Sequence, residues 1–129
     1  MAAAVWILPT RAIVMLWSRW RLARERRTVA AMVAIYCRHR HGGRGLCVAC
    51  AVLDAYARQR LDRCVYGAAK PTCANCPIHC YRREMREGIR DVMAYAGPRM
   101  LARHPVLTLF HVLDGRRRAP DRAPRAQVA

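Results

Sequence analysis

The sequence CVYGAAKPTCANCPIHC, at residues 64–80, separates two stretches of helical periodicity. Its spacing is C-x8-C-x2-C-x3-C, with thiols at Cys64, Cys73, Cys76 and Cys80. A segment with four thiols and two prolines cannot bury enough apolar surface to offset the entropy that it loses on ordering. A bound metal or cluster supplies the missing free energy, about 10–16 kcal/mol for a structural zinc site. We therefore predict a metal- or cluster-binding loop that holds the flanking helices together.

The spacing of these cysteines fits two kinds of centre. Two residues between Cys73 and Cys76 let both sulfurs turn toward one centre, and such gaps on one short loop are as typical of iron–sulfur ligation as of zinc. Zinc ribbons instead pair two separated C-x2-C units, which Cys47 and Cys50 would form with Cys73 and Cys76. That pairing leaves two cysteines of the loop without a role, so it ranks second.

Positive charge follows the loop directly. Arg82 and Arg83 stand at the predicted start of the next helix, where the helix dipole also favours an anionic thiolate centre. We expect these two residues to give the centre electrostatic support without binding it.

Helical periodicity extends to both sides of the loop. Apolar residues recur at helical spacing in residues 19–37 and 46–63, and again from Met85 onward. No stretch alternates with the period of two that is typical of strands. The sequence predicts an all-α fold, a small bundle of about four to five helices, with the cysteine loop joining the second and the third.

Proline and glycine set the boundaries of the later helices. Gly97 and Pro98 are predicted to stop the third helix, because proline cannot continue a regular helix. Pro98 and Pro105 each suit a first helical position, and Gly115 suits the end of a last helix. The predicted buried face of that final helix is formed by Val106, Leu109, Phe110 and Leu113.

Three further thiols lie upstream of the loop, at Cys37, Cys47 and Cys50. Cys37 ends one predicted helix and Cys47 opens the next, so the three are able to converge. Either His39 or His41 would then complete a Cys3His zinc site. The other interpretation, two small buried thiols and one loop cysteine, is nearly as good. The sequence leaves this second metal site open.

The chain is strongly basic, with 24 Lys and Arg, 8 Asp and Glu, and a formal net charge of +16. Residues 1–36 carry +5 of this charge and residues 115–129 carry +4. Because so much of it lies at the ends, the charge is weak support for a nucleic-acid partner, and a protein partner is left open as well. Membrane contact through residues 1–20 is disfavoured, because Arg11 interrupts an apolar run that is too short to span. The less favoured alternative is a segment that lies on a membrane surface, since Arg19, Arg21 and Arg24 follow Trp6, Trp17 and Trp20. The sequence does not specify an oligomeric state.

Composition suggests three parts of the chain. Residues 1–20 are a poorly defined apolar extension, residues 21–114 form a helical Cys-rich domain, and residues 115–129 are a disordered tail of Arg and Pro. The seven cysteines are an odd number, which argues against a fully paired secreted framework. We therefore expect a cytoplasmic protein.

The sequence contains no recognisable catalytic constellation. Residues 42–45 lack the Gly-Lys-Ser/Thr ending of a phosphate-binding loop. Neither C-x2-C unit is followed directly by histidine, which excludes c-type haem attachment, and no βαβ setting supports a thioredoxin-like role. We expect no enzymatic activity.

Several blocks of residues match the pattern of one protein family. They are Arg26 to Val29 (RRTV), Met32 to Cys37 (MVAIYC), Leu53 to Ala57 (LDAYA), Arg60 to Cys64 (RLDRC), Lys70 to Cys73 (KPTC), Cys76 to Tyr81 (CPIHCY), Gly97 to Leu101 (GPRML) and His104-Pro105. With these blocks, residues 24–114 resemble the nitrous oxide-stimulated promoter family of small bacterial proteins.

The resemblance implies a role in the response to nitric oxide and nitrosative stress. It also implies metal or iron–sulfur binding through Cys64, Cys73, Cys76 and Cys80, whereas the upstream thiols are less uniform in the family. We predict a non-enzymatic protein with an iron–sulfur cluster of the [4Fe–4S] type, zinc being the alternative cofactor. The alternative function is a zinc-stabilised basic module that binds nucleic acid or acts as an adaptor.

Overall fold

The chain folds into a bundle of helices. The structure, a computed structural model, describes residues 10–78 and 80–119. The helices are α1 (Thr10–Arg40), α2 (Val48–Asp62), α3 (Arg83–Arg103) and α4 (Pro105–Asp114), and two short 3-10 turns, Gly67–Ala69 and Cys73–Asn75, lie between α2 and α3. This part of the chain contains no strand, which confirms the all-α prediction. Three parts of the chain lie outside the described residues: residues 1–9, His79 and residues 120–129. The first is nearly half of the predicted extension, and the last is most of the predicted tail.

The long helix α1 is the centre of the bundle. It packs against the other three helices and against the turn Gly67–Ala69. The predicted apolar stripe of Val29, Met32 and Val33 is buried, and each such side chain contributes about 1.5–3 kcal/mol by leaving water. The buried core is completed by Ile35, Cys37, Cys50, Leu53, Ala57, Ile89, Val92, Ala96 and Met100.

Helix α1 is longer than the predicted helix at residues 19–37. It begins at Thr10 and ends at Arg40. No glycine or proline interrupts it, whereas Pro9 precedes it and Gly42 follows shortly after it. The helix therefore runs beyond the apolar period because no breaker interrupts it, and the glycines after Arg40 limit its C-terminal end.

The prediction that Gly97 and Pro98 stop the third helix is wrong. Helix α3 runs through Pro98 to Arg103. Proline inside a helix removes one hydrogen bond and crowds the preceding turn. The helix nevertheless continues, because Ala96 and Met100, four residues apart, are both almost fully buried in the core. Pro98 itself is exposed, so its ring does not disturb that packing.

Replacing Pro98 with alanine is expected to stabilise the protein. Alanine restores the backbone N–H donor and relieves the crowding, which stabilises the helix. Loss of proline also gives the unfolded chain more conformational freedom, which opposes folding by a smaller amount. The net effect is an increase of about 2 kcal/mol in the free energy of unfolding. Urea denaturation followed by circular dichroism measures the change. The control is Pro105→Ala at the start of α4, where a backbone N–H gains no helical partner. Equal stability of wild type and Pro98→Ala would contradict the expectation.

A buried ionic network connects α1 to α4 and to the cysteine loop. Arg24 Nη2 donates to a carboxylate oxygen of Asp114 at 2.7 Å, and Arg21 Nε lies 3.6 Å from the other oxygen. Arg21 Nη2 donates to the Lys70 carbonyl at 2.6 Å, and Lys70 Nζ lies 3.5 Å from the Glu25 carboxylate. All five residues are buried. These basic side chains therefore stabilise the fold and add nothing to a solvated basic surface.

Candidate metal centres

Three cysteines and one histidine converge where α1 ends and α2 begins. Cys37 lies near the end of α1, and His41 is the residue directly after that helix. Cys47 is the N-cap residue of α2, and Cys50 lies in the first turn of α2. Their ligand atoms all lie within 4.8 Å of one another. The Nδ1 atom of His41 is 3.4 Å from the sulfurs of both Cys47 and Cys50. Within residues 10–78 and 80–119, no other group of three or more Cys, His, Asp or Glu residues is this compact.

A glycine-rich turn brings these ligands together. The backbone N–H groups of His41 and Gly42 both donate to the Cys37 carbonyl, at 2.9 and 3.1 Å, and so end α1. Gly42 and Gly43 have φ angles of 72° and 93°, in the left-handed region that favours glycine. The chain then returns, and the Cys47 N–H donates to the Cys37 sulfur at 3.3 Å. Backbone donors of this kind favour a thiolate over a thiol.

The thiols of this group differ in acidity. The pKa of Cys47 is lowered to about 7, chiefly by a hydrogen bond from the backbone of Cys50, and the charge of His41 acts in the same direction. The pKa of Cys50 is raised to about 12, chiefly by burial, and the neighbouring thiols act in the same direction. A bound cation lowers the pKa of a coordinating thiol, so metal binding at this group releases protons.

The structure selects His41 over His39 as the histidine of the group. His39 Nδ1 lies 3.1 Å from the Tyr95 hydroxyl, and its ring packs edge-on against the Tyr95 ring. The His41 ring instead packs edge-on against Tyr36, with the ring centres 5.6 Å apart. Two histidines two residues apart in sequence therefore face different partners.

The donor set fits a single metal ion. Three thiols and one imidazole form a complete tetrahedral shell of the Cys3His type, which is typical of structural zinc. Cys37 and Cys50 are buried and Cys47 is partly buried, while His41 is exposed. The site therefore lies at one end of the bundle, with two ligands in the core and one at the surface.

The four cysteines of the loop between α2 and α3 line one cavity. Cys64, Cys73, Cys76 and Cys80 all contribute to its wall, and its volume is about 200 Å³. The remaining wall comes from α2, α3 and the loop itself. No three of the four sulfurs lie within 4.8 Å of one another. The loop cysteines thus share a cavity but are spaced more widely than the Cys3His group.

Basic side chains surround this cavity. Arg60, Lys70, Arg86 and Arg90 form part of its wall. Arg60 donates to the Cys80 carbonyl at 3.2 Å, and its Nε atom is buried without a hydrogen-bond partner among the described residues. None of these four residues was predicted from the sequence to line the site. For Lys70 a signal was present, because it is the single lysine of the chain.

Burial opposes ionisation of two loop thiols, Cys73 and Cys80, in the absence of a ligand. It raises the pKa of Cys73, an effect that the charge of Lys70 partly offsets. It also raises the pKa of Cys80, where Arg60 acts in the opposite direction. The basic wall thus compensates in part for removing thiolates from water.

Arg82 and Arg83, which were predicted to support the centre, lie against other residues. The Arg82 guanidinium lies over the Tyr56 ring, 5.4 Å from its centre, and its backbone N–H donates to the Tyr56 hydroxyl. Arg83 pairs with Glu87 on the exposed side of α3. Neither lines the cavity.

The alternative zinc-ribbon pairing is not formed. Cys47 and Cys50 belong to the compact group at the start of α2, whereas Cys73 and Cys76 line the cavity beyond its other end. Cys64 lies fourteen positions after Cys50 in the chain. At a helical rise of about 1.5 Å per residue, this separation corresponds to about 21 Å between the two sites. The chain therefore carries two separate groups of thiols.

Comparison with known proteins identifies the family. The sequence profile of the nitrous oxide-stimulated promoter family matches residues 20–124. The chain belongs to this family. The uncharacterized protein YgbA of Escherichia coli strain K12 is 41% identical over 101 residues, which cover 78% of this chain and 86% of YgbA. No solved structure matches the chain.

The family match locates both groups of thiols in the shared part of the chain. All seven cysteines, together with His39 and His41, fall within residues 20–124. The first part of α1, residues 10–19, lies outside the nitrous oxide-stimulated promoter match. The sequence resemblance to this family is thus confirmed, and it extends over both sites.

Proposed function

We propose that this member of the nitrous oxide-stimulated promoter family is a non-enzymatic, cytoplasmic metalloprotein of the response to nitric oxide. In this proposal the Cys3His group holds a structural zinc ion and the four-cysteine cavity holds an iron–sulfur cluster of the [4Fe–4S] type. The observation that carries the proposal is the contrast in spacing between the two groups of thiols. The name of the family supports the link to nitrogen oxides.

The compact group suits one zinc ion. Zn–S bonds of about 2.3 Å in a tetrahedral shell place the ligand atoms about 3.8 Å apart. The four ligand atoms of the Cys3His group lie within 4.8 Å of one another, so small side-chain movements bring them to that geometry. A shell filled by four protein ligands leaves no open position for a substrate, which is typical of a structural site.

The cavity suits a larger centre. In a cluster, each thiolate binds a different iron atom, so the sulfurs lie farther apart than around one zinc ion. The wider spacing of Cys64, Cys73, Cys76 and Cys80 agrees with this, and a volume of about 200 Å³ exceeds what a single ion requires. Four thiolates around a core of charge 2+ carry a net charge of about −2. The unpaired Nε of Arg60 and the other basic residues of the wall complement that charge.

In this proposal, the positions of the loop cysteines explain how the protein responds to nitric oxide. An iron–sulfur cluster supplies iron sites with which nitric oxide reacts. Cys64 lies just beyond α2 and Cys80 shortly before α3, so ligands shared by one centre connect the two helices. Losing that centre leaves a loop with little apolar surface to order it, and the connection between the helices is released. Reduced thiols, as in the cytoplasm, are required for both sites.

Anaerobic purification tests the proposal directly. The wild-type protein is expected to contain one zinc, about four irons and about four sulfides per chain, with broad absorbance at about 400 nm that bleaches when nitric oxide is added. Cys73→Ser is expected to remove the iron and the colour while the zinc remains. The matched control, Cys47→Ser, is expected to lose zinc and keep the iron. A colourless wild-type protein that contains only zinc would contradict the cluster.

A second candidate function is a zinc-stabilised module that binds nucleic acid or acts as an adaptor. The observation that favours it is the group of exposed basic residues beside the Cys3His site, Arg38, Arg40 and Arg44. Contacts to about six phosphates would weaken on the order of 10³-fold between about 50 and about 200 mM salt. Absence of DNA and RNA binding at about 50 mM salt would exclude the nucleic-acid form of this candidate.

A further inference from the structure

The outward face of α4 is apolar. Val106, Leu109, Val112 and Leu113 are 45–65% exposed, and helical spacing places them on one side of the helix. The prediction that Val106, Leu109 and Leu113 form a buried face is therefore wrong. The opposite side of α4 carries Asp114, which is buried in the ionic network. Apolar faces of this kind on a soluble domain mark contact sites.

The first turns of α1 extend this apolar face. Ile13, Leu16, Trp17 and Trp20 are 41–69% exposed. Trp20 packs edge-on against Phe110 of α4, with the ring centres 5.3 Å apart. A groove of about 430 Å³ lies between the two helices. Apolar side chains from both helices, including Trp17 and Leu113, form part of its wall, and polar or charged side chains form the rest: Ser18, Arg21, Arg24, Asp114 and Arg117. The exposed faces of α1 and α4 therefore form one continuous region, which we call the α1–α4 surface.

Positive charge borders the α1–α4 surface. Arg19 is exposed on α1, three residues after Leu16 and so beside it on the helix. Arg116 and Arg117 are exposed after α4, and Arg117 also pairs with Asp114. Residues 10–24 contain no acidic residue, and Asp114 is the one acidic residue of 104–119, buried and paired with arginine. A second copy of the chain would bring two arginine borders together, and like charges in contact oppose association. The surface therefore fits a partner that is both apolar and anionic.

We propose that the α1–α4 surface binds an anionic lipid bilayer and lies in its interface. Tryptophan favours the boundary between headgroups and acyl chains, aliphatic side chains enter the boundary, and arginine pairs with lipid phosphates. Among the described residues, none of the helices combines the length and the apolar character needed to cross a membrane, and interfacial binding needs neither. This binding is additional to the proposed metal chemistry and does not depend on it.

Residues 1–20 taken alone disfavour membrane contact, because Arg11 interrupts the apolar run and opposes insertion across a bilayer. The structure adds the face of α4 beside α1, so the apolar region no longer comes from one short segment. Arg11 lies on the side of α1 away from Trp17 and Trp20, so it does not interrupt the α1–α4 surface.

Vesicle binding by the full-length, metal-loaded protein tests the proposal. We expect co-sedimentation with vesicles of phosphatidylcholine and phosphatidylglycerol, at least tenfold weaker binding to phosphatidylcholine alone, and a blue shift of tryptophan fluorescence on binding. Leu109→Glu is expected to weaken binding at least tenfold, because a carboxylate replaces an apolar contact. Arg19→Gln with Arg116→Gln is expected to weaken binding about 25-fold on anionic vesicles only.

The control variant is Val52→Glu. Val52 is 50% exposed on α2, a helix outside the α1–α4 surface, so this variant is expected to bind like the wild type. Circular dichroism and metal content verify that every variant is folded. Absence of binding to anionic vesicles would overturn the proposal, as would equal losses for Leu109→Glu and Val52→Glu. Self-association that buries Leu109, without vesicle binding, would identify a second copy as the occupant and would also overturn it.

Discussion

Replacement of His41 by alanine is expected to weaken zinc binding about 100-fold or more, while the same replacement of His39 leaves it unchanged. Loss of a residue that only supports a zinc ligand costs 10–100-fold in affinity, and loss of a ligand costs more. His41 lies 3.4 Å from two of the cysteine sulfurs, whereas His39 contacts Tyr95. Competition with a chromogenic chelator measures the affinity of both variants.

The two histidine variants also separate a structural role of the metal from a catalytic one. A structural zinc contributes its binding free energy to folding, so His41→Ala and chelator treatment are both expected to lower the melting temperature. His39→Ala is a matched control, since both residues are exposed and lie two positions apart. Equal zinc affinity in the two variants would contradict the assignment of His41 as a ligand.

Replacing Asp114 with asparagine is expected to lower the free energy of unfolding by about 3–5 kcal/mol. The side chain of Asp114 is 5% exposed, and Arg24 and Arg21, which face it, are buried too. Removing one partner of a buried ion pair leaves the other charge without compensation, which is costly. Domains of this size are stabilised by about 5–15 kcal/mol in total, so the variant loses a large part of its stability. Urea denaturation measures the change.

The control for Asp114 is Asp62→Asn. Asp62 also pairs with an arginine, Arg26, but its side chain is 54% exposed. Exposed ion pairs contribute about 1 kcal/mol or less. The two variants therefore remove the same chemical group from a buried and from an exposed pair. Denaturation of both variants at the same urea concentration would contradict a structural role for the buried network.

Acid is expected to weaken this network. Burial by itself raises the pKa of Asp114, but the hydrogen bond from Arg24 and the charges of Arg21 and Arg24 outweigh it, so the pKa lies below its ordinary value of 3.8. Burial lowers the pKa of Arg21, which nevertheless stays protonated. A carboxyl whose pKa is lower in the folded state stabilises fully above the unfolded pKa, and this contribution is lost as the pH falls through the folded pKa.

Stability measured against pH tests that sign. Below about pH 4 the wild type is expected to lose stability more steeply than Asp114→Asn, since the variant has no carboxyl to protonate at this position. Parallel pH dependence of the two proteins would contradict the role of Asp114. Measurements in high salt leave the difference in place, because a buried pair is screened much less than an exposed one.

Local sequence signals were enough to predict the helical fold. The periodic residues Val29, Met32 and Val33 are buried as expected, and the last helix begins at Pro105. These signals operate within one or two helical turns, where the backbone period and the missing N–H of proline act directly. The same local reasoning failed at Pro98, because burial of Met100 outweighs the proline's cost and a short window does not contain that packing.

The sequence by itself determined the all-α fold, the four-cysteine loop as a candidate centre and the family. Only the tertiary structure decided between His39 and His41, separated Cys47 and Cys50 from the loop cysteines, and placed Arg60 beside the cavity. It also revealed the pairing of Arg24 with Asp114, ninety positions apart in the chain. Period and spacing are encoded in neighbouring residues, whereas contacts between distant side chains depend on how whole helices pack. Because of that packing, part of the strong positive charge of the chain lies in the buried ionic network and not on the surface.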